Sequence, residues 1–254
     1  CPPAGQAGIR RQMEQLKREY EKQDRMRRDF TANVSHELKT PLTSISGYAE
    51  IIREGMVKSE DVGRFAGKIY EEAQRLITLV EDILNLSHLD EGAPGQERRQ
   101  GIDLYALCER AVASLAEAAR QRGIAISLTG SRQRVDGAEK LLAEIIFNLC
   151  DNAIKYNQEN GHVAVSVTRE GDRVVLTVQD TGIGIPPGET DRVFERFYRV
   201  DKSHSKEIGG TGLGLSIVKH AAAYHDAKIQ LDSQLGRGTR VRVLFPLSQR
   251  EAQP

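Results

Sequence analysis

Two apolar periodicities of helical spacing, joined by a short polar turn, constrain what this chain can fold into more than any other feature. Ile9, Met13, Leu16, Tyr20, Phe30 and Val34 fall on alternating steps of four and three, with polar Gln23 and Arg27 completing the register. That is a heptad seam, the pattern by which helices pair. Beyond "REGMVKSE" a second run follows: Val62, Phe65, Ile69, Leu76, Leu79, Ile83 and Leu86. The two runs predict a helical hairpin. One hairpin has too little core of its own, so the seam is expected to be buried against a second copy as a four-helix bundle, a homodimer.

The polar stretch "LDEGAPGQERRQG", residues 89–101, breaks the periodicity and reads as a linker. Beyond it the pattern changes to a helix at about 104–121, a β-branched segment "IAISL", and a helix from about Glu139 to Tyr156. Strands "HVAVSVTRE" and "RVVLTVQD" follow, joined by "GD". A helix follows "GTGLGLSIVKH", and "KIQLDS" and "TRVRVLFP" close the chain as strands. The simplest arrangement is a mixed sheet with helices on one face, so the predicted class is α+β. At 254 residues the chain has length for two such units.

Charge and cysteines exclude several classes. Lys plus Arg number 36 and Asp plus Glu 36, so no net field draws the chain to nucleic acid or an anionic membrane. Cys1, Cys108 and Cys150 are odd in number and lack metal spacing, which fits thiols acting as small hydrophobes in a reducing compartment. No apolar run approaches the roughly 20 residues that cross a bilayer. A chain that opens "CPPAGQAG" without an initiator Met reads as a fragment whose upstream part is missing.

Chemistry concentrates in three places in the second unit. "DTGIGI", 180–185, sets an acid at a strand end and two glycines where the backbone turns tightly. "GGTGLGLSIV" carries Gly209, Gly210, Gly212 and Gly214 into a helix, leaving backbone N–H groups bare for anionic oxygens. Neither matches a P-loop or a Rossmann fingerprint. In "EIIFNLCDNAIKYN", Asn148, Asn152, Lys155 and Tyr156 share one helical face, while Ile145, Ile146, Leu149 and Ala153 can face the core. Taken alone, that polar stripe is also compatible with a solvated face. An amide oxygen can ligate Mg²⁺ that keeps its waters and phosphates, and Lys155 can neutralise a phosphate chain.

In order and spacing, "NVSHELKTPL", "NLCDNAIKY", "DTGIGI", "FERFYR" and "GGTGLGL" resemble the H, N, G1, F and G2 boxes of the sensor histidine kinases of bacterial two-component systems. The resemblance covers residues 30–247. It implies a dimerisation and phosphotransfer hairpin at 30–90 preceded by a coiled-coil signalling helix at 1–29. It also implies a linker at 91–101, an α/β sandwich ATP-binding domain of the GHKL group at 102–248, and a tail at 249–254. It further implies that Asn152 holds Mg²⁺ and that Asp180 accepts a hydrogen bond from the adenine amino group. Asn148, Lys155 and Tyr156 would complete the phosphate and base contacts, and Gly182, Gly184, Gly210, Thr211, Gly212, Leu213 and Gly214 would shape the pocket. Residues 193–208 would form a lid. Many relatives carry an arginine where His204 stands, so a cation near the γ-phosphate could come from Arg196, Arg199, Lys202 or Lys206. Where relatives have His-Gly-Gly this chain has His225, Asp226 and Ala227, and the turn there is expected to use the left-handed region at Asp226.

His36 is the expected phosphoacceptor. A neutral imidazole nitrogen is a competent nucleophile if a neighbour handles the proton on the other nitrogen, and Glu37 is placed to do so. Phe30, Val34 and Leu38 would turn their apolar side away from it. Pro41 deletes the backbone bond to the Glu37 carbonyl, so a local bend is expected there. Thr40 lies one turn on, on the same face. The resemblance gives the pattern His-Glu-x-x-Thr a role in positioning water to dephosphorylate a partner's phospho-aspartate, although a helix-capping or merely solvated threonine fits the same spacing. The expected partners are a second copy and a response regulator receiver domain. Membrane anchoring would come only through the missing upstream region, leaving this part cytoplasmic. Two other functions share the same boxes: a GHKL ATPase acting as a clamp, and a non-catalytic dimeric scaffold. Asn148 stands against the first, because an amide cannot serve as a base.

Overall fold

In the computed structural model, residues 4–90, 97–200 and 210–248 are described, and the chain divides into two compact units, Cys1–Leu79 and Val80–Pro254. The first unit contains helix α1 (Ala4–Arg53) and the start of helix α2 (Val62–Asp90), with a 3₁₀ turn at Ser59–Asp61 between them. Helix α1 stops at Gly55, whose φ is +68°. Gly55 N–H bonds Ile52 O at 3.1 Å and Met56 N–H bonds Ile51 O at 3.0 Å, so two otherwise orphaned carbonyls are satisfied by a left-handed glycine cap. Tyr48 and Phe65 then meet edge to face at 5.7 Å across the turn. Helix α1 remains continuous through Pro41.

The heptad seam is largely uncovered in the single chain: Met13, Leu16 and Tyr20 are 66%, 65% and 72% exposed. The side chain of Ile9 lies outside the described residues. Helix α2 shows the same division. Leu79 and Leu86 are buried, whereas Tyr70, Ile77 and Leu84, seven residues apart, face outward.

The second unit holds the last turns of α2, Val80–Asp90, together with a sheet domain. Its five-stranded sheet runs β2 (Ala125–Gly130), β4 (His162–Glu170), β5 (Arg173–Asp180), β7 (Gly238–Pro246), β6 (Lys228–Gln234). Only β2 and β4 are parallel, so the sheet is mixed, as its sequence predicts. Alternation sets the faces: Val163, Val165 and Val167 are buried, and Val165 pairs with Val178 and Val178 with Val241. That register leaves Asp180 at the end of β5, opposite Val163.

Helices α3 (Leu104–Gln121), α4 (Glu139–Lys155) and α5 (Gly214–Tyr224) pack on the sheet, with α4 touching both of the others. Leu142, Ile145, Ile146, Leu149 and Ala153 form the buried stripe of α4. Each large side chain in it contributes about 1.5–3 kcal/mol by leaving water. Cys108 and Cys150 are buried and free. Burial pushes the Cys150 thiol up to about 12 and raises Cys108 as well, so both behave as apolar groups. Cys1 lies outside the described residues.

One feature departs from the sequence reading. Strands β1 (Arg99–Asp103) and β3 (Arg134–Gly137) form a separate antiparallel pair, so the stretch read as linker already enters a strand at Arg99. The start of α4 has no side-chain cap. The Ala138 N–H there is instead accepted by His225 Nε2 at 3.0 Å. The left-handed turn expected at Asp226 is present, with φ 53°.

Candidate functional site

In the first unit, His36 stands out from α1 with its side chain 77% exposed and its Nδ1 3.7 Å from Glu37 Oε1. Val34 and Leu38, on the far side of the helix, are partly buried. Thr40 lies one turn on and donates its hydroxyl to the His36 carbonyl at 3.2 Å. The three residues singled out by sequence therefore share one accessible turn.

In the second unit, the C-terminal end of α4 meets both glycine segments. The Tyr156 carbonyl accepts the Ile183 N–H at 3.0 Å. A Cβ on Gly182 would fall 2.2 Å from that same carbonyl oxygen, so this approach requires glycine. The Tyr156 hydroxyl lies 3.1 Å from the position a Gly210 Cβ would take. A Gly214 Cβ would lie 2.7 Å from Asn148 Oδ1 and 3.7 Å from Asn152 Nδ2, which brings both amides of α4 to the first turn of α5. Asn148 donates to the Glu144 carbonyl at 2.9 Å, and among the described residues no hydrogen bond holds the Asn152 amide. Lys155 Nζ pairs with Asp151 Oδ2 at 2.6 Å, so its charge is shared at this mouth.

Asp180 is fixed by its backbone surroundings. Its Oδ1 accepts the Gly182 N–H at 2.8 Å and the Thr239 N–H at 3.1 Å. Burial raises its pKa, and the two backbone bonds pull in the opposite direction. The loop into α5 is held by Leu213, fully buried, and by Gly212 at φ +75°. Gly212 O accepts from Phe197 N–H at 2.8 Å, and Phe197 itself has φ 61°, an uncommon state for a bulky side chain. Gly184, at φ +66°, packs against the Gln234 carbonyl. Lys202, His204 and Lys206 lie outside the described residues.

Three contacts escape a reading by local pattern. Asp82, in the last turns of α2, accepts the Thr211 hydroxyl at 2.7 Å. Asp90 accepts from Arg196 at 2.5 Å and lies 3.5 Å from His220 Nδ1. Ser233, on β6, bonds into the segment that follows Asp180. Their partners are distant in sequence, and only a polar residue in an otherwise apolar stripe, as at Asp82, gives a local sign.

Comparison with known proteins decides what this arrangement is. Residues 26–92 match the His Kinase A phospho-acceptor domain and residues 137–249 the histidine kinase-, DNA gyrase B- and HSP90-like ATPases. The chain belongs to the sensor histidine kinase family. It is 40% identical over 229 residues to the sensor-like histidine kinase SenX3 of Mycolicibacterium smegmatis, covering 90% of this chain and 59% of that protein. The chain thus spans a little over half the length of such relatives. Full-length ShkA, solved in complex with AMPPNP, is 28% identical with a TM-score of 0.63 over 85% of this chain and 45% of its own. Histidine kinase ThkA, solved with the response regulator TrrA, shares the fold at 22% identity and a TM-score of 0.69, over 92% of this chain and 67% of its own. The predicted hairpin and mixed-sheet domain are those of this family, and the second unit carries its ATP-binding domain. No helix among the described residues is long and apolar enough to cross a membrane.

Proposed function

We propose that this chain is an ATP-dependent protein histidine kinase that phosphorylates His36 and passes the phosphoryl group to an aspartate of a response regulator receiver domain. The observation that carries the reading is an accessible imidazole with a carboxylate beside Nδ1, in the same chain as a glycine-lined nucleotide domain. With Glu37 nearest Nδ1, the proton is held there and Nε2 keeps its lone pair. Nε2 attacks the γ-phosphorus of ATP, the new N–P bond forms as the bond to the β–γ bridging oxygen breaks, and ADP leaves. Glu37 then takes the proton from the imidazolium.

Asp180 receives the adenine amino group, and the Gly182, Gly184, Gly210, Gly212 and Gly214 backbones, with Thr211 and Leu213, surround the nucleotide. Asn148, Lys155 and Tyr156 contact phosphates and base. The Asn152 amide, with no partner among the described residues, fits a hard cation, and Mg²⁺ held there would shield phosphate charge. The exposed seams of α1 and α2 support a homodimer, and the response-regulator complex of ThkA supports a receiver domain as partner. Thr40, exposed beside His36, supports dephosphorylation of that partner. We assign residues 1–29 to a signalling helix, 30–90 to the phosphotransfer hairpin, 91–98 to a linker and 99–248, which opens with strand β1, to catalysis. Anchoring of the whole protein in the bacterial membrane would come from outside these residues.

Incubation with γ-labelled ATP and Mg²⁺ tests the proposal. Acid-labile, base-stable label on the wild type, absent from His36→Gln, supports it. Release of free phosphate without protein label would instead indicate an ATPase clamp, and neither product a scaffold.

A further inference from the structure

The β6–β7 hairpin grips the segment after Asp180 at four points. Gly236 N–H donates to Ile183 O at 2.7 Å, and Ser233 Oγ accepts the Ile185 N–H at 2.9 Å. Gly184 lies so close to the Gln234 carbonyl that a Cβ would meet it at 2.1 Å, and Thr239 N–H reaches Asp180 Oδ1 at 3.1 Å. Ser233 is the side chain common to both ends of this grip. Its hydroxyl donates to Gly238 O at 3.0 Å and lies 2.8 Å from Thr239 Oγ1, its cross-strand neighbour.

A hydroxyl has one proton and two lone pairs. With its proton on Gly238 O, Ser233 Oγ accepts from both Ile185 N–H and Thr239 Oγ1–H, so its capacity is filled. One oxygen thereby ties the glycine turn after Asp180 to the strand whose N–H holds the Asp180 carboxylate. No other side-chain hydrogen bond among the described residues joins Ile185 to β7.

We propose that Ser233 is a positioning residue for base recognition: its hydroxyl locks the turn 183–185 to β7 and so holds the Asp180 carboxylate aimed at the exocyclic amino group of adenine. This rests on the assignment of Asp180 to the adenine amino group. Ser233 touches neither nucleotide nor reacting atoms. Its loss should therefore degrade selection of the base and leave the chemical step unchanged.

The test compares ADP with IDP, which carries an oxygen where ADP has the amino group, by calorimetry on the wild type, Ser233→Ala and Ser233→Thr. The wild type should prefer ADP by at least about ten-fold, the value of one well-placed hydrogen bond to a charged group. Ser233→Ala should weaken ADP about ten-fold while IDP changes less than about two-fold, so the preference disappears. Ser233→Thr, which keeps the hydroxyl, should restore it. In autophosphorylation the alanine variant should raise KM for ATP by a similar factor, with kcat within about two-fold of wild type. Equal weakening of both nucleotides, or an ADP preference that survives in Ser233→Ala, overturns the inference and leaves the Asp180 assignment standing. A wild type indifferent to the base removes that assignment and the inference with it. Should the alanine variant fail to fold, Ser233→Cys, near-isosteric but a weak acceptor, carries the same expectation.

Discussion

Thr211, inside the second glycine segment, donates its hydroxyl to Asp82 at 2.7 Å. Burial raises the pKa of that carboxylate, the Thr211 bond and Lys155 lower it, and Asp151 adds to the rise. An anionic group thus occupies a donor that the phosphate-binding loop would offer to ATP and sits within the field of the lysine beside it. Asp82→Asn is expected to lower KM for ATP by about three- to ten-fold, because it removes a like charge from the triphosphate's approach. Steady-state autophosphorylation at varied ATP measures this, and an unchanged or higher KM counts against it.

Thr40→Ala should abolish dephosphorylation of a phosphorylated receiver domain while autophosphorylation stays within about two-fold of wild type. Among the described residues the hydroxyl is bonded only to the His36 carbonyl, so its removal leaves the helix and the imidazole in place. Parallel loss of both activities would assign Thr40 to the helix instead.

Glu144, one turn before Asn148, has a buried Oε2 without a hydrogen-bond partner among the described residues, and burial raises its pKa, with Lys140 acting the other way and Asp82 adding to it. A raised carboxylate pKa means the folded state binds the proton more tightly than the unfolded one. This contribution to stability is therefore fully present below the ordinary carboxylate range and is lost as pH rises through the folded value. Glu144→Gln should stabilise the domain by roughly 1 kcal/mol at neutral pH, with a gain that shrinks toward pH 4. Thermal melts at the two pH values give the sign, and a destabilised variant at neutral pH would contradict it.

His225 and His220 move the other way. Burial lowers the His225 pKa, and its Nε2 must stay unprotonated to accept the Ala138 N–H while Nδ1–H donates to Ala221 O at 2.6 Å. Arg98 lowers it further and Asp226 opposes. Burial, then Arg196, lowers His220. A depressed folded pKa gives stability that is present above about pH 6.5 and lost as pH falls through the folded values. The melting temperature should accordingly drop between about pH 7 and pH 5, and His225→Gln should flatten part of that slope. A melting temperature that does not fall over that range contradicts this reading.

Much of the frame follows from local periodicity. The run from Leu104 to Gln121 and the stripe through Ile145, Ile146, Leu149 and Ala153 are strongly amphipathic, and strands His162–Glu170 and Arg173–Asp180 alternate cleanly. The β1–β3 pair was hidden because "RQGID" and "RVDG" are short and polar, with a register shift between Arg99 and Ile102. His36, Asn152 and Asp180 stand out through the motifs around them. His225, Ser233 and Asp82 do not, since each acts through a partner 48 to 129 residues away that only the folded chain brings close.

The most direct measurement is the location of the phosphoryl group after a single turnover with ATP, by phosphorus NMR and by mapping of the phosphorylated peptide at neutral pH. The account predicts one phosphoramidate, on Nε2 of His36, formed together with one ADP. Phosphate on any other side chain, or ADP formed with inorganic phosphate and no modified histidine, would contradict it.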